Sequence, residues 1–160
     1  MTTLRIRTTV AVTVLILAAG GCNRESADSP KQGKAQGGNV APVEGKQAEQ
    51  VRKAATDWLG LADAKDWGAS WDRSAEMFRK AVKKEQWAQS ADAARSPLGD
   101  RVSRKEKSLE FSDSLPGAPD GEYAVLQFAT EFARKKEAVE TLSLLHETDG
   151  QWRVVGYFIK

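Results

Sequence analysis

The sequence predicts an α+β domain in which about three N-terminal helices pack on a curved antiparallel sheet of three to four strands. Between residues 48 and 95, apolar residues recur at steps of three and four, which is typical of helices with one buried face. Beyond Gly99 the pattern changes to an alternation of apolar and polar residues, which is typical of strands. Residues 46–160 are enough for one hydrophobic core and too few for two.

Three successive segments carry the helical pattern. The first has its apolar residues at Ala48, Val51, Ala55, Trp58, Leu59 and Ala62. The second runs from Trp67 to Val82, with Asp66 or Ser70 as its predicted N-cap and lysines near its far end. The third runs from Trp87 to Arg95 and stops at the Ser-Pro-Leu-Gly sequence that follows.

Four segments are predicted to be strands. They are Arg101–Phe111, Tyr123–Phe132, Val139–His146 and Trp152–Ile159. The first is rich in polar residues, as expected for an edge strand. In the second, the alternation places Leu126 and Phe128 on one face and Tyr123 on the other. A turn-rich loop over residues 115–121 separates these two strands.

The dipeptide Asp149-Gly150 predicts a tight hairpin between the last two strands. A two-residue type I′ turn requires positive φ at both central residues, which this pair tolerates. Such a turn places Leu142 opposite Tyr157, Leu144 opposite Val155 and His146 opposite Arg153. Because both faces of this hairpin are apolar near its middle, we expect it inside the sheet.

The N-terminal segment, residues 1–21, has the parts of a bacterial secretory signal peptide. Arg5 and Arg7 precede an uncharged run from Thr8 to Gly21 that ends in small residues. As a helix, this run would cover roughly 21 Å, which is short of the ~30 Å hydrocarbon core of a bilayer. The sequence therefore favours a cleaved signal over a permanent spanning helix.

The sequence Ala18-Ala19-Gly20-Gly21-Cys22 resembles the lipobox of bacterial lipoproteins, with Ala19 where a leucine is usual. This resemblance implies that the Cys22 thiol carries a diacylglyceryl group and that the freed amine is often acylated as well, with palmitate as an expected acyl chain. Several acyl chains anchor a protein stably to a membrane. Asn23, which is not an aspartate, implies by resemblance to Gram-negative sorting an outer-membrane location that faces the periplasm.

Residues 22–45 are rich in Gly, Ser and Pro and contain no aromatic residue, which predicts a lipidated flexible tether ahead of the domain at 46–160. The chain has 24 Lys+Arg and 22 Asp+Glu, and removal of the signal with Arg5 and Arg7 leaves 22 of each. This balance argues against a nucleic-acid partner. Cys22 is the only cysteine, so the domain has neither a disulfide nor a thiolate site.

Several separated motifs resemble the bacterial family catalogued as domain of unknown function 4019. They are Trp58-Leu59, Asp66 to Trp71, Pro97-Leu98-Gly99, Ser103-Arg104, Pro116 to Tyr123, Glu140-Thr141, and the residues from Gly150 to Phe158. The resemblance implies an exported or lipid-anchored protein with no established activity, and it carries over no catalytic residues. The order of helices and strands also resembles NTF2-like and cystatin-like folds, which warrants no function by itself.

The sequence offers no convincing catalytic or metal-binding constellation, so we expect neither an enzyme nor a metal or cofactor site. His146 is the only histidine, and no carboxylates surround it at ligand spacing. A serine nucleophile would lack its usual glycine-flanked turn. Acid–base catalysis by Glu131, Glu140 or Tyr157 stays open, but only their polarity on strands marks them.

The aromatic residues of the helices have two interpretations. Their helical spacing fits core packing, and the alternative is an aromatic ligand pocket between helices and sheet. The residues of this candidate pocket are Trp71, Trp87, Arg95, Arg104, Tyr123 and Tyr157.

Together these patterns predict an uncharacterised membrane-anchored lipoprotein whose domain binds a partner in the cell envelope without catalysis. The partner is an envelope protein or a small ligand. The alternative function is a small-molecule-binding protein with an NTF2-like pocket, and an enzyme is less favoured.

Overall fold

The computed structural model describes residues 42–160, with side chains from residue 45 onward. The predicted signal peptide, the lipidation site Cys22 and the tether up to residue 41 lie outside the described residues. Within the described part of the chain, no helix is long and apolar enough to cross a membrane.

Helices occupy the first half of the described chain. They are α1 (Pro42–Asp63), α2 (Trp67–Asp72), α3 (Glu76–Ala81) and α4 (Lys84–Arg95), followed by a 3-10 turn at Ser96–Leu98. The first helix begins at a proline, whose fixed φ and missing N–H suit the first turn. It therefore starts inside the stretch that the sequence predicts as tether.

The second half of the chain forms one antiparallel sheet. Its strands are β1 (Arg101–Ser112), β2 (Tyr123–Phe132), β3 (Lys135–His146) and β4 (Trp152–Ile159), in the spatial order β1-β2-β3-β4. Helices followed by a four-stranded sheet confirm the predicted α+β class. The likeness to NTF2-like folds stays a prediction.

The predicted second helix, from Trp67 to Val82, is wrong as a single element. The chain leaves helical geometry at residues 73–75, where Ser74 forms a parallel bridge with Val154 of β4. The Ala75 amide donates to the carbonyl of Val154 at 2.8 Å. This tertiary hydrogen bond replaces a helical one, so the described domain has four α-helices where the sequence predicts three.

The predicted two-residue turn between β3 and β4 is also wrong. Among its residues only Gly150 has a positive φ, at 77°. The Glu147 amide donates to the Gln151 carbonyl and the Gly150 amide donates to the Glu147 carbonyl, which closes a three-residue loop. A register shift after Ser143 adds to this change.

In the half of the hairpin that lies away from the turn, the observed pairing agrees with the prediction. In the half next to the turn, it is shifted by one residue. Leu142 pairs with Tyr157 as predicted. Leu144, however, pairs with Val154, and His146 pairs with Trp152 in place of Arg153. In the described sheet, β3 lies between β2 and β4, whereas β4 pairs with β3 alone. The strand β4 therefore lies at the edge of the sheet, and only β3 lies inside it.

The helices pack on one face of the sheet, which we call the helix-facing side. Its buried side chains include Leu126, Leu142, Leu144 and Val154, which cluster with Val51, Trp58 and Trp87 of the helices. The other face, which we call the open face, has its centre at Val125, Gln127, Ala129, Val139, Thr141, Ser143, Gly156 and Phe158. In the part of the chain that the structure describes, all eight of these residues are at least partly exposed.

Candidate functional site

An ion network lies at the helix-facing side, where the end of α1 meets β1 and β3. Arg104 of β1 contacts two carboxylates, Asp63 at the end of α1 and Glu140 in the middle of β3. Its Nη1 and Nη2 donate to the two oxygens of Asp63 at 2.8 and 2.9 Å. Its Nε and Nη2 donate to the two oxygens of Glu140 at 2.6 and 3.1 Å. One guanidinium thus joins a helix to a strand two positions away in the sheet.

Glu140 is fully buried, with 0% of its surface exposed. Besides Arg104, it accepts hydrogen bonds from the Thr130 hydroxyl at 2.6 Å and the Tyr157 hydroxyl at 2.5 Å. Each of its oxygens therefore has two donors. A buried carboxylate is tolerated only with such pairing, because its desolvation is costly.

Asp63 collects three arginines. Besides Arg104, it accepts from Arg95 at the end of α4 and from Arg101 at the start of β1, both at 2.8 Å. The Arg95 guanidinium also lies 4.3 Å from the ring centre of Phe132. Its Nε and Nη1 are buried and have no hydrogen-bond partner among the described protein atoms.

The pKa shifts of Arg104 and Asp63 keep these two groups ionised and paired at neutral pH. Burial lowers the pKa of Arg104, but hydrogen bonds to Asp63 and Glu140 outweigh it and raise the pKa above its ordinary value. Burial raises the pKa of Asp63, but hydrogen bonds from Arg104 and Arg101 outweigh it and lower the pKa. Burial and the charge of Glu140 together raise the pKa of Tyr157. Tyr157 therefore stays protonated and donates its hydrogen bond to Glu140.

The structure brings together three of the six predicted pocket residues. Arg95, Arg104 and Tyr157 belong to the ion network, and Glu140, considered as an acid–base candidate, lies at its centre. Sequence reasoning missed Asp63 and Thr130 as members. Asp63 is only the last residue of an amphipathic helix, and its partners lie 32 to 41 positions further along the chain, so no local spacing marks it.

The tryptophans of the predicted pocket are packed and hydrogen-bonded inside the domain. The Trp58 ring lies edge-on to Tyr157, with ring centres 5.2 Å apart, and 6.0 Å from Trp87. The indole N–H of Trp87 donates to Ser70, and that of Trp71 donates to the carbonyl of Val82. At this place the space between helices and sheet is occupied by aromatic side chains.

Tyr123 does not join the other predicted pocket residues. It follows the open-face parity of β2, three residues before the helix-facing Leu126, so the prediction that it shares a pocket with Tyr157 is wrong. Its hydroxyl donates to the carbonyl of Pro119 at 2.7 Å, and the ring is buried beside this loop. Tyr123 therefore holds the β1–β2 loop against the sheet.

The two other polar candidates also lie outside the network. His146 stacks on Trp152 with ring centres 4.8 Å apart, and its Nδ1 lies 2.6 Å from a carboxylate oxygen of Glu122. This arrangement replaces the expected contact with Arg153, which binds Glu147 and Asp149 instead. Glu131 pairs with Lys136 at 2.6 Å on the solvent side. No group of three or more potential metal ligands occurs in the described part of the chain.

Two surface clefts border the helices, and their charged groups largely pair with each other. A cleft of about 470 Å³ lies between α1 and the start of β4, where Lys53 pairs with Asp57 at 2.7 Å. A second, of about 600 Å³, lies between α3 and the β3–β4 turn. Its walls include the Lys80–Glu76 pair and Arg153 with its two carboxylates.

The centre of the open face combines exposure with the absence of charge. Charged residues make up 29% of the chain, yet none of the eight central positions is charged. Phe158 is 64% exposed, the largest exposed fraction among the large hydrophobic side chains of the described domain. Its ring edge lies over Gly156, 3.4 Å from the point that a Cβ on this glycine would occupy. A side chain at residue 156 would therefore contact the Phe158 ring.

These features define an α+β domain with an ion network between helices and sheet, and with a second sheet face whose central residues are not buried in the described part of the chain. Residues 54–157 match the family model described as protein of unknown function, DUF4019, and the chain belongs to this family. The match extends from the middle of α1 into β4, which confirms the family resemblance found in the sequence motifs. A search of curated proteins gives no match to this chain.

Proposed function

We propose that this protein is a lipid-anchored accessory protein of the bacterial cell envelope, whose domain binds another protein through the open face without catalysis. The observation that carries the binding role is the charge-free centre of this face with Phe158 exposed on it. The centres of protein–protein interfaces are typically depleted in charged residues and enriched in aromatic residues.

The internal ion network supports a binding role over a catalytic one. Arg104, Asp63 and Glu140 saturate each other, and Tyr157 donates to Glu140 with a pKa raised by burial. A catalytic acid or base must reach a substrate and exchange a proton near neutral pH. Arg104, Asp63 and Glu140 are instead paired with one another, and this arrangement fits a structural role in which they join the helices to the sheet.

The proposed anchor rests on the lipobox-like residues before Cys22, and the proposed outer-membrane address rests on Asn23. Acyl chains on Cys22 would hold the domain at the membrane without a spanning helix. The equal numbers of acidic and basic residues in the mature chain fit a partner that is a protein, not an anionic polymer.

One experiment in intact cells tests both parts of the proposal. A photocrosslinking amino acid replaces Gln127 on the open face, in the full chain with Cys22 and in a Cys22→Ser chain, and cells are fed a clickable palmitate analogue. We expect lipid label and a discrete protein crosslink with Cys22, and no label after Cys22→Ser. The matched control places the crosslinker at Lys53 on α1, which is exposed on the helix layer.

The outcomes separate the anchor from the binding role. Label that persists after Cys22→Ser refutes the anchor. Absence of any protein crosslink from position 127, or equal crosslinking from position 53, refutes binding through the open face.

A further inference from the structure

We propose that the outer edge of β4, the side of this strand that faces away from β3, binds an extended segment of another protein as an added strand. This edge is a different surface from the open face, which it borders at the exposed side chain of Phe158. The kind of occupant follows from the backbone groups that the edge presents.

The outer edge of β4 presents the backbone N–H and C=O groups of Tyr157 and Ile159. Lys160 and Val139 donate to each other's carbonyls at 3.0 Å, so the amide of Lys160 points toward β3. Because amides alternate in direction along an antiparallel strand, those of Tyr157 and Ile159 point away from β3. In the described sheet, no other strand pairs with this part of β4. A row of alternating donors and acceptors is complementary to another extended chain.

The chain itself pairs with the same edge just before this point. Ser74 forms a parallel bridge with Val154, and the Ala75 amide donates to the Val154 carbonyl at 2.8 Å. The outer edge of β4 thus accepts an extended chain beside it. Ser74 also fixes where an added strand stops, because it occupies the edge at Val154. Residues 156–159, beyond the register shift next to Val154, remain for regular pairing.

The two edges of the sheet differ in how well they resist an added strand. The β1 edge carries four charged residues within six positions, and its pairing with β2 has two irregularities. Charged side chains and bulges on an edge strand oppose the addition of another strand. Residues 156–159 of β4 contain neither a charged residue nor a proline. The β4 edge is therefore the one that a partner's strand extends.

The side chains along this edge define the composition of the partner's segment. Tyr157 and Ile159 lie on the helix-facing side, and Phe158 lies on the open face. The side chains of an added strand alternate between the same two faces and lie next to these three residues. We therefore expect an extended segment of about five uncharged residues, with aliphatic or aromatic side chains on both faces.

A second copy of this chain fits the edge less well than a separate segment does. Two β4 strands pair with each other only over a short stretch, because Ser74 of each copy covers its own edge at Val154. Each copy also brings α3, which begins two residues after Ser74, against the end of the other copy's β4. An extended segment of another protein brings no such bulk to the edge.

Peptide selection on the purified, lipidated full chain tests the inference. The probe is a phage-displayed library of random heptapeptides, from which the selected sequences are synthesised. We expect uncharged sequences rich in β-branched and aromatic residues. These peptides should slow the hydrogen exchange of the Tyr157 and Ile159 amides about tenfold or more, because strand addition protects both amides. Amides of β1, at the opposite edge of the sheet, should change less than about twofold.

A proline variant tests whether the backbone of the edge makes the contact. Ile159→Pro removes one outward amide and leaves the pairing with β3 intact, since proline is tolerated where the amide faces away from a sheet. It should weaken binding of the selected peptides about tenfold or more. Ile159→Val is the matched control, because it keeps the amide, and it should weaken binding less than about twofold. Circular dichroism checks the fold of both variants, and the exchange measurement on the wild type decides the inference if Ile159→Pro does not fold.

The outcomes separate strand addition from its alternatives. Failure to select any peptide, or selected peptides that leave both amides unprotected, overturns the inference. Binding that a folded Ile159→Pro retains overturns it as well. Amide protection in the protein alone that rises with protein concentration overturns it in favour of a second copy. Each of these results leaves the open face untouched, because the crosslink from position 127 tests that surface separately.

Discussion

Glu140 shows at the scale of a single residue how a buried charge organises this domain. It has no exposed surface, and it accepts four hydrogen bonds from side chains of β1, β2 and β4. Removal of one partner would leave a buried charge that is only partly paired. Such losses cost far more than the net contribution of the intact pair.

Arg104→Ala should therefore destabilise the domain by about 3 to 5 kcal/mol in the free energy of unfolding. The substitution removes the one cation that contacts both Asp63 and Glu140. Urea unfolding followed by tryptophan fluorescence measures the effect. The control is Arg52→Ala, which removes an exposed ion pair with Glu106 and should cost at most about 1 kcal/mol. Equal costs for the two variants would contradict the special role of Arg104.

Asp63 should make the stability of the domain depend on pH in acid. Because Arg104 and Arg101 lower its folded pKa despite burial, ionised Asp63 contributes stability above its unfolded pKa of about 3.9. That contribution is lost as the pH falls from about 4 through the lowered folded pKa. In urea titrations between pH 7 and pH 3, Asp63→Asn should lose stability less steeply than the wild type. Asp57→Asn, which removes an exposed pair with Lys53, should keep the wild-type slope, and a shared slope for all three proteins would refute this assignment.

At the residue scale, the sequence marks the charged and aromatic residues but not their grouping. Arg95, Arg104 and Tyr157 do meet, because each lies on the helix-facing side near Asp63 or Glu140. Tyr123 does not meet them, and strand alternation already sets it on the face opposite Leu126. Asp63 escapes prediction because its contacts exist only once α1 lies across β1.

At the scale of helices and strands, some features follow from the local sequence pattern and others from contacts with distant parts of the chain. All four predicted strands are present: β2 and β4 have the predicted bounds, β1 ends one residue later, and β3 begins four residues earlier. The break between α2 and α3 was not predictable from the sequence, because an amphipathic pattern continues through it. Its cause is the hydrogen bond from Ala75 to Val154, which lies in the last strand.

The turn between β3 and β4 provides a prediction at the scale of an element. Gly150 has φ +77°, and a Cβ at this position would have no neighbouring atom within 4 Å, so any effect of Gly150→Ala is conformational. An alanine at positive φ should cost about 1 kcal/mol. Gly60→Ala is the matched control, since it also has open space but lies inside α1, where alanine should stabilise by roughly 0.5 to 1 kcal/mol. Thermal unfolding of both variants measures the opposite signs, and a stabilising Gly150→Ala would contradict the turn geometry.

At the scale of the whole molecule, we infer a targeting signal at the N-terminus, ahead of a family match that begins at residue 54. The signal is inferred from residues before the described domain, and it stays a prediction. The domain's fold class was predictable because patterning decides which side of each element is buried. The location of the proposed binding surface was not predictable, because the open face is defined by the strand register and by the side of the sheet that the helices cover.

A substitution in the predicted sorting signal should therefore change the location of the protein without changing the stability of its domain. We expect Asn23→Asp to move the protein from the outer-membrane to the inner-membrane fraction, because an aspartate after the lipidated cysteine resembles the retention signal of Gram-negative lipoproteins. The thermal unfolding midpoint should stay within measurement error of the wild type, because residue 23 lies 31 positions before the family match. Density-gradient fractionation measures the first effect, and Asn23→Gln is the control that keeps an uncharged side chain and the wild-type location. An unchanged location for Asn23→Asp would refute the sorting inference, whereas a shifted unfolding midpoint would show that the N-terminal segment contributes to the stability of the domain.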